Sequence, residues 1–133
     1  MKILVVHRQK NTVDVIKSVL SEINPVVLKT ESGLDGLLTS RIEHFDLVIC
    51  GTDLPVVTGF ELIRSIRNNV LNRQTPVVMI FDQTNDKLEN LAKSLGVEAV
   101  IPLQELGKHL LATVNRIVNF PRIGGMTFSR QAG

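Results

Sequence analysis

The apolar residues of this chain follow two alternating patterns, and this alternation limits the possible folds more than any other feature. Short segments with no polar residue are typical of strands buried on both faces. Five of them occur, at 3–6, 26–28, 47–50, 77–81 and 99–101. After each one, apolar residues recur at the three- and four-residue spacing of an amphipathic helix. We therefore predict an α/β fold, a doubly wound five-stranded parallel sheet covered by helices on both faces.

Side chains suited to capping mark the expected helix starts. Ser32 with Asp35 and Thr58 with Glu61 have the three-residue spacing of a capping pair. Asn11 is the expected N-cap of the first helix, and Thr84 or Asn85 that of the fourth. The last helix is predicted over 104–118. The second helix carries Leu34, Leu37, Leu38 and Ile42, and the fourth is expected to bury Leu88, Leu91, Ala92 and Leu95.

Length and charge exclude several classes of protein. The 133 residues suit one domain, which we place at 1–119, with 120–133 as a C-terminal tail or the start of a linker. Residues 1–120 hold 13 basic and 13 acidic residues, so we expect no nucleic-acid binding by this domain. The apolar runs are too short for a membrane span. The single Cys50 leaves a cytoplasmic setting as the default expectation. The aromatic residues Phe120 and Phe128 in the tail are candidates for docking.

Ligands of doubly wound sheets bind beyond the carboxyl ends of the strands. His7 and Arg8 follow the first predicted strand, Gly51 to Asp53 the third, Phe81 and Asp82 the fourth, and Leu103 the fifth. Phosphate-binding glycine loops and a nucleophile elbow are absent from these positions. No cofactor, metal site or catalytic residue is therefore predicted, and we expect a protein that is not an enzyme.

Several segments in order resemble a receiver domain of two-component response regulators. They are 2–6, 46–50, Leu54-Pro55 with Gly59, Thr75-Pro76 with 77–80, and 96–102. The resemblance covers about residues 2–119. It implies a flavodoxin-like (βα)5 fold with strand order 2-1-3-4-5 and a role in phosphorelay signalling of the bacterial type. In that family two acids bind Mg²⁺, an Asp accepts a phosphoryl group, and a Ser or Thr and a Lys contact it.

This chain departs from the family at each of these positions. His7 and Arg8 stand in place of the acidic pair, and Gly51 in place of the phosphoacceptor. Phe81 replaces the hydroxyl residue and Leu103 the lysine. The aromatic switch position falls on Val100. We therefore expect a degenerate form, a pseudo-receiver, that acts by phosphorylation-independent protein–protein interaction.

Two other functions remain open. His7, Arg8, Asp53 and Asp82 are candidates for a residual site that senses a small anion. The simpler interpretation is that His7 is a partly buried polar residue and that Arg8 pairs with one of the two acids. Asp53 is a candidate for an atypical phosphoacceptor. Cys50 is expected to be a core residue and not a reactive thiol.

The resemblance also implies a surface for partners, on the fourth helix, fifth strand and fifth helix. Its expected exposed members are Lys87, Asn90, Glu98, Glu105, Lys108 and Arg116. The partner would be another protein or a fused output domain, and a homodimer through the same face is possible.

Overall fold

The computed structural model describes residues 1–119 and the backbone of two short strands beyond them. The main sheet consists of β1 (Lys2–Val6), β2 (Val26–Thr30), β3 (Leu47–Gly51), β4 (Val77–Phe81) and β5 (Ala99–Pro102). The helices are α1 (Lys10–Leu20), α2 (Gly33–Ile42), α3 (Gly59–Asn68), α4 (Asp86–Ser94) and α5 (Leu106–Asn119). Short 3₁₀ turns lie at Ser21–Ile23, Val70–Asn72 and Leu103–Glu105.

The five strands pair in parallel in the order β2-β1-β3-β4-β5. This confirms the predicted doubly wound, flavodoxin-like fold and its strand order. One apolar cluster packs α1 and α5 on one face of the sheet, and a second packs α3 and α4 on the other. β1, β3 and β4 are buried almost completely because helices cover both of their faces. Their unbroken apolar sequences reflect this burial.

Three of the predicted helix caps are confirmed. The hydroxyl of Ser32 accepts a hydrogen bond from the Asp35 amide, and Thr58 and Glu61 form a complete capping box. Asn85, the second of the two candidates for α4, caps the amides of the first turn.

The cap predicted for α1 is wrong, and the last helix starts later than predicted. Gln9 occupies the N-cap position of α1, because its backbone is still extended and its carbonyl accepts the Val13 amide. Residues 103–105 form a 3₁₀ turn, so α5 begins at Leu106.

The packing of α4 differs from the sequence prediction. Leu88 is exposed, Leu91 and Leu95 are half-buried, and Ala92 is the one fully buried member of this helix. Ala92, and in part Leu95, pack in the apolar cluster that also includes Val100 of β5. The edge strand β5 is half-buried at most of its positions, and the other edge strand, β2, is more exposed.

Beyond α5, Arg122–Ile123 and Met126–Thr127 form a two-stranded antiparallel sheet. Phe120 and Phe128 lie outside the described residues, so the docking predicted for them stays a prediction. Among the described residues, every helix is too short or too polar to cross a membrane.

Candidate functional site

The register of the sheet brings the family's site positions to one edge. Val6 pairs with Cys50, so His7 and Gly51 are the next residues on adjacent strands. Gly51 pairs with Ile80, which places Phe81 one step beyond it. Leu103 follows Pro102, the last residue of β5. The sequence analysis correctly expected these residues at the carboxyl ends of neighbouring strands.

The His7 ring occupies the space above Gly51. A Cβ atom built on Gly51 would lie 2.9 Å from Cδ2 and 3.2 Å from Nε2 of His7. His7 is only 5% exposed, and its Nδ1 accepts a hydrogen bond of 3.1 Å from the Gln9 amide. Gly51, which the resemblance predicts to stand at the family's phosphoacceptor position, is therefore covered by an imidazole that is held in place. Gln9 acts here through its backbone amide, which no side-chain motif reports.

The environment of His7 favours the neutral imidazole. Burial lowers the pKa of His7 from its ordinary value of 6.5. The carboxylate of Asp82 opposes this shift in pKa, and the charge of Arg8 adds to it. The sequence interpretation of His7 as a buried polar residue agrees with this geometry. A neutral ring offers an approaching anion no positive charge.

Arg8 forms an ion pair with Asp53, with 3.4 Å between its Nη2 and the Asp53 Oδ2. Both side chains are largely exposed, so the pair contributes about 0–1 kcal/mol. Asp82 is exposed as well. The alternative in which Arg8 pairs with one of the two acids therefore describes the observed contact.

The residues at the acidic-pair positions do not fit a magnesium ion. Mg²⁺ prefers oxygen ligands in octahedral geometry. His7 offers a ring nitrogen that already accepts a hydrogen bond, and Arg8 brings a positive charge. Within residues 1–119, no group of three or more His, Cys, Asp or Glu side chains is arranged to hold a metal ion.

Apolar side chains occupy the other two family positions. Phe81 is 1% exposed and packs edge-to-face against Phe60, with 6.1 Å between the ring centroids. Leu103 is half-buried against the α1/α5 cluster, and Val100 against the opposite cluster. Phe60 belongs to α3 and is distant from Phe81 along the chain. Its contact with Phe81 depends on how α3 lies on the sheet, which no local sequence signal reports.

Cys50 lies in the core beside this site. It is fully buried, and burial raises the pKa of its thiol to about 12. Because the thiolate is the reactive form, such a thiol is inert at neutral pH. The predicted structural role of Cys50 agrees with this environment.

A groove of about 640 Å³ lies at the opposite edge, below the amino-terminal ends of the strands. Its lining includes Met1, Asp46, Thr75 and Val118. The sequence analysis placed ligand binding at the carboxyl edge and did not identify this groove. Its residues come from four separate segments, so no motif joins them.

The predicted partner surface is largely accessible. Lys87, Asn90, Lys108 and Arg116 are exposed. Glu98 and Glu105 were expected to be exposed but are half-buried. Glu98 directly precedes β5 and its amide bonds to Val77, whereas Glu105 pairs with His109 one turn along. The lower exposure of Glu98 and Glu105 results from backbone and side-chain contacts that helical periodicity does not predict.

These features define a class: a doubly wound α/β domain whose candidate site lies at the carboxyl edge of β1, β3, β4 and β5. The sequence profile of the response regulator receiver domain matches residues 3–115. The chain belongs to this family, and its general role is that of a receiver-like signalling module.

Individual relatives agree with this assignment. Protein PilH of Pseudomonas aeruginosa is 26% identical over 119 residues, covering 88% of this chain and 97% of PilH. The transcriptional regulatory protein CusR of Escherichia coli is 30% identical over 80 residues, covering 60% of this chain but 34% of CusR. The chain thus spans about a third of that regulator's length. The chemotaxis protein CheY4 of Vibrio cholerae has the same fold, with a TM-score of 0.79 at 23% identity over 87% of this chain and 97% of CheY4.

Proposed function

We propose that this chain is a pseudo-receiver, which passes on signals through protein–protein contact without accepting a phosphoryl group. The observation that carries the proposal is the His7 ring packed on Gly51, at the position of the family's phosphoacceptor. Gly51 has no side chain to phosphorylate, and no space for one remains beside the ring. We propose accordingly that the domain is not an enzyme and needs no Mg²⁺.

The neighbouring residues support the same proposal. A phosphoryl group on this edge would need a cation and hydrogen-bond donors to balance its charge. Phe81 and Leu103 offer neither, and Arg8 already pairs with Asp53. Five changed positions at one edge favour a lost reaction over a single tolerated substitution.

The test is to incubate the chain with acetyl phosphate and Mg²⁺ and to measure its intact mass. We expect no phosphate adduct. In parallel, amide NMR spectra with and without beryllofluoride and Mg²⁺ should coincide. An adduct of one phosphate, together with amide shifts around Gly51 and Phe81, would contradict the proposal.

The same experiment decides on Asp53 as an atypical acceptor. This carboxylate lies two residues beyond β3 and is held by Arg8. If an adduct forms, Asp53→Asn should abolish it, and Asp82→Asn serves as the matched control on the neighbouring loop. If neither the wild type nor Asp82→Asn gains a phosphate, the alternative of Asp53 as an atypical acceptor is excluded.

The partner surface is the α4–β5–α5 face. Its support is the incomplete burial of α4 and β5, of whose residues only Ala92 and Ile101 are buried, together with the exposed Lys87 and Lys108. We predict that Lys87→Glu with Lys108→Glu reverses charge on this face and reduces, by about tenfold or more, the amount of protein co-purifying with the tagged chain. Lys17→Glu, on the exposed side of α1, is the matched control. Equal recovery from all three proteins would count against this face.

Residues 120–133 would connect the domain to a fused output domain or dock onto a partner. We propose a cytoplasmic setting, which the free thiol of Cys50 supports.

A further inference from the structure

Helix α2 presents three of its four large apolar side chains to solvent, whereas the fourth, Leu37, packs in part against the cluster under α3 and α4. Leu34 is 40% exposed, Leu38 51% and Ile42 82%. The residues that α2 buries are small, namely Gly33, Gly36 and Ser40. The three apolar residues are spaced by four, so they form one ridge along the helix on the side away from the sheet. We call Leu34, Leu38 and Ile42 the α2 ridge.

The orientation of α2 is fixed by close backbone approach. A Cβ atom on Gly33 would collide with the carbonyl oxygen of Val57. A Cβ atom on Gly36 would lie 2.8 Å from a methyl group of Val6. The helix therefore cannot rotate to bury Leu34 and Leu38, since there is no space for a larger side chain at Gly33 or Gly36. The α2 ridge must face outward in the folded chain.

The exposed apolar surface also continues beyond α2. Asn72 donates to the carbonyls of Ser40 and Glu43, which fixes the turn at Val70–Asn72 against the end of α2. Val70 on this turn is 83% exposed. Contiguous apolar surface of this kind on a small domain marks an interaction site.

We propose that the α2 ridge is a self-association surface, covered by the α2 ridge of a second copy of this chain. A two-fold interface needs a surface that complements itself, and an apolar ridge does so. The charged side chains of α2 are Asp35 and Arg41, one of each sign, so two copies bring no net charge together. The α2 ridge therefore offers no net charge that would favour a strongly charged partner.

The ridge also has the geometry for such pairing. Ridges of residues spaced by four pack into the grooves of a second helix, the commonest helix-packing class. In an antiparallel pair centred on Leu38, Leu34 of one copy lies level with Ile42 of the other. The ridge and Val70 would form the apolar centre of an interface whose usual size is about 800 Å² per partner. This inference is independent of whether the chain accepts phosphate.

Sedimentation equilibrium of the whole chain over a range of concentrations tests the inference. For the wild type we expect the mass to rise from 14.7 kDa towards twice that value. Leu38→Glu places two like charges at the centre of the pair and should weaken dimerisation by about 100-fold or more. Because Leu38 is half exposed, this variant should fold, and circular dichroism at the same concentrations verifies it.

Two controls separate this surface from others. Val15→Glu changes an exposed apolar residue of α1, and Lys87→Glu with Lys108→Glu changes the α4–β5–α5 face. Both should dimerise like the wild type. A wild type that stays monomeric at every concentration would overturn the proposal. So would a dimer that survives Leu38→Glu, or one that is lost with the α4–β5–α5 changes instead.

Discussion

The imidazole of His7 and the missing side chain of Gly51 are two halves of one packing arrangement. Each residue alone is an unremarkable substitution in a strand end. Together they fill the space at the carboxyl ends of β1 and β3, where we propose that the family's phosphoacceptor position lies. The ring is held by the Gln9 amide, so it cannot swing aside without losing a buried hydrogen bond.

A double-mutant cycle measures this pairing. Gly51→Ala should lower the free energy of unfolding by about 1–3 kcal/mol, because the new methyl group meets the His7 ring. In a His7→Ala background the same change should cost less, giving a coupling of about 1 kcal/mol or more. Urea denaturation of the four proteins supplies the values. Additive effects would show that the ring moves away freely.

The lowered pKa of His7 predicts a pH dependence of stability. Between the ordinary pKa of 6.5 and the lower pKa in the folded protein, the unfolded chain binds more protons. The contribution of neutral His7 is therefore complete above pH 6.5 and is lost as the pH falls below it. Urea denaturation across this range should show a steeper loss of stability for the wild type than for His7→Gln. Parallel curves for the two proteins would contradict the burial of His7.

At the scale of the elements, the side chain of Arg67 joins α3 to two neighbouring segments by hydrogen bonds. The guanidinium of Arg67 donates to the carbonyls of Leu95 and Gly96 at the end of α4. It also donates to the carbonyls of Arg73 and Thr75 before β4. From the sequence alone, Arg67 is most simply a residue of a solvated helix face. The periodicity of α3 places Arg67 beside the core but does not reveal the carbonyls that surround it.

Replacing Arg67 tests the structural role of its guanidinium group. Arg67→Lys keeps the charge but loses most of the hydrogen bonds, and should lower the free energy of unfolding by about 1–3 kcal/mol. Arg64→Lys, at an exposed position of the same helix, should change it by no more than about 0.5 kcal/mol. Thermal denaturation of both variants makes the comparison. Equal midpoints of thermal denaturation for the two variants would mean that water hydrogen-bonds to these carbonyls as well as the Arg67 guanidinium does.

At the scale of the whole molecule, the receiver fold is complete, and two apolar clusters hold the helices on the two faces of its sheet. We propose that phosphoryl transfer is lost at the carboxyl edge of this sheet. The helices and their surfaces, which these clusters hold in place, would then remain available for partners.

The anion-sensing alternative makes a prediction at this scale. A ligand at one hundred times its dissociation constant adds about 2.7 kcal/mol to the free energy of unfolding. We expect inorganic phosphate at millimolar concentration, with the ionic strength held constant by sodium chloride, to leave the urea midpoint unchanged, since Arg8 is paired and His7 is neutral. The low concentration keeps the general stabilising effect of kosmotropic anions small. Arg8→Ala should leave that comparison unchanged. A phosphate-specific gain that Arg8→Ala removes would establish the sensor.

Local patterns in the sequence determined the strands, most helix starts and the class of fold. Alternation of unbroken apolar segments with helical spacing follows from burial on both faces of a parallel sheet. The identities of His7, Gly51, Phe81 and Leu103 at the strand ends were also readable, because strand order places those ends together. Hydrogen bonds of the Ser32 and Thr58 caps lie within three residues, so spacing alone predicts them.

Only the tertiary structure decided how these elements meet. Gly33 lies so close to the loop carbonyl of Val57, and Gly36 to Val6 of β1, that Leu34 and Leu38 face solvent. Helical periodicity does not predict this close approach. The covering of Gly51 by His7 and the reach of Arg67 to four carbonyls likewise join residues that are distant along the chain. Periodicity records which side chains prefer burial, whereas register and close approach decide which atoms come into contact.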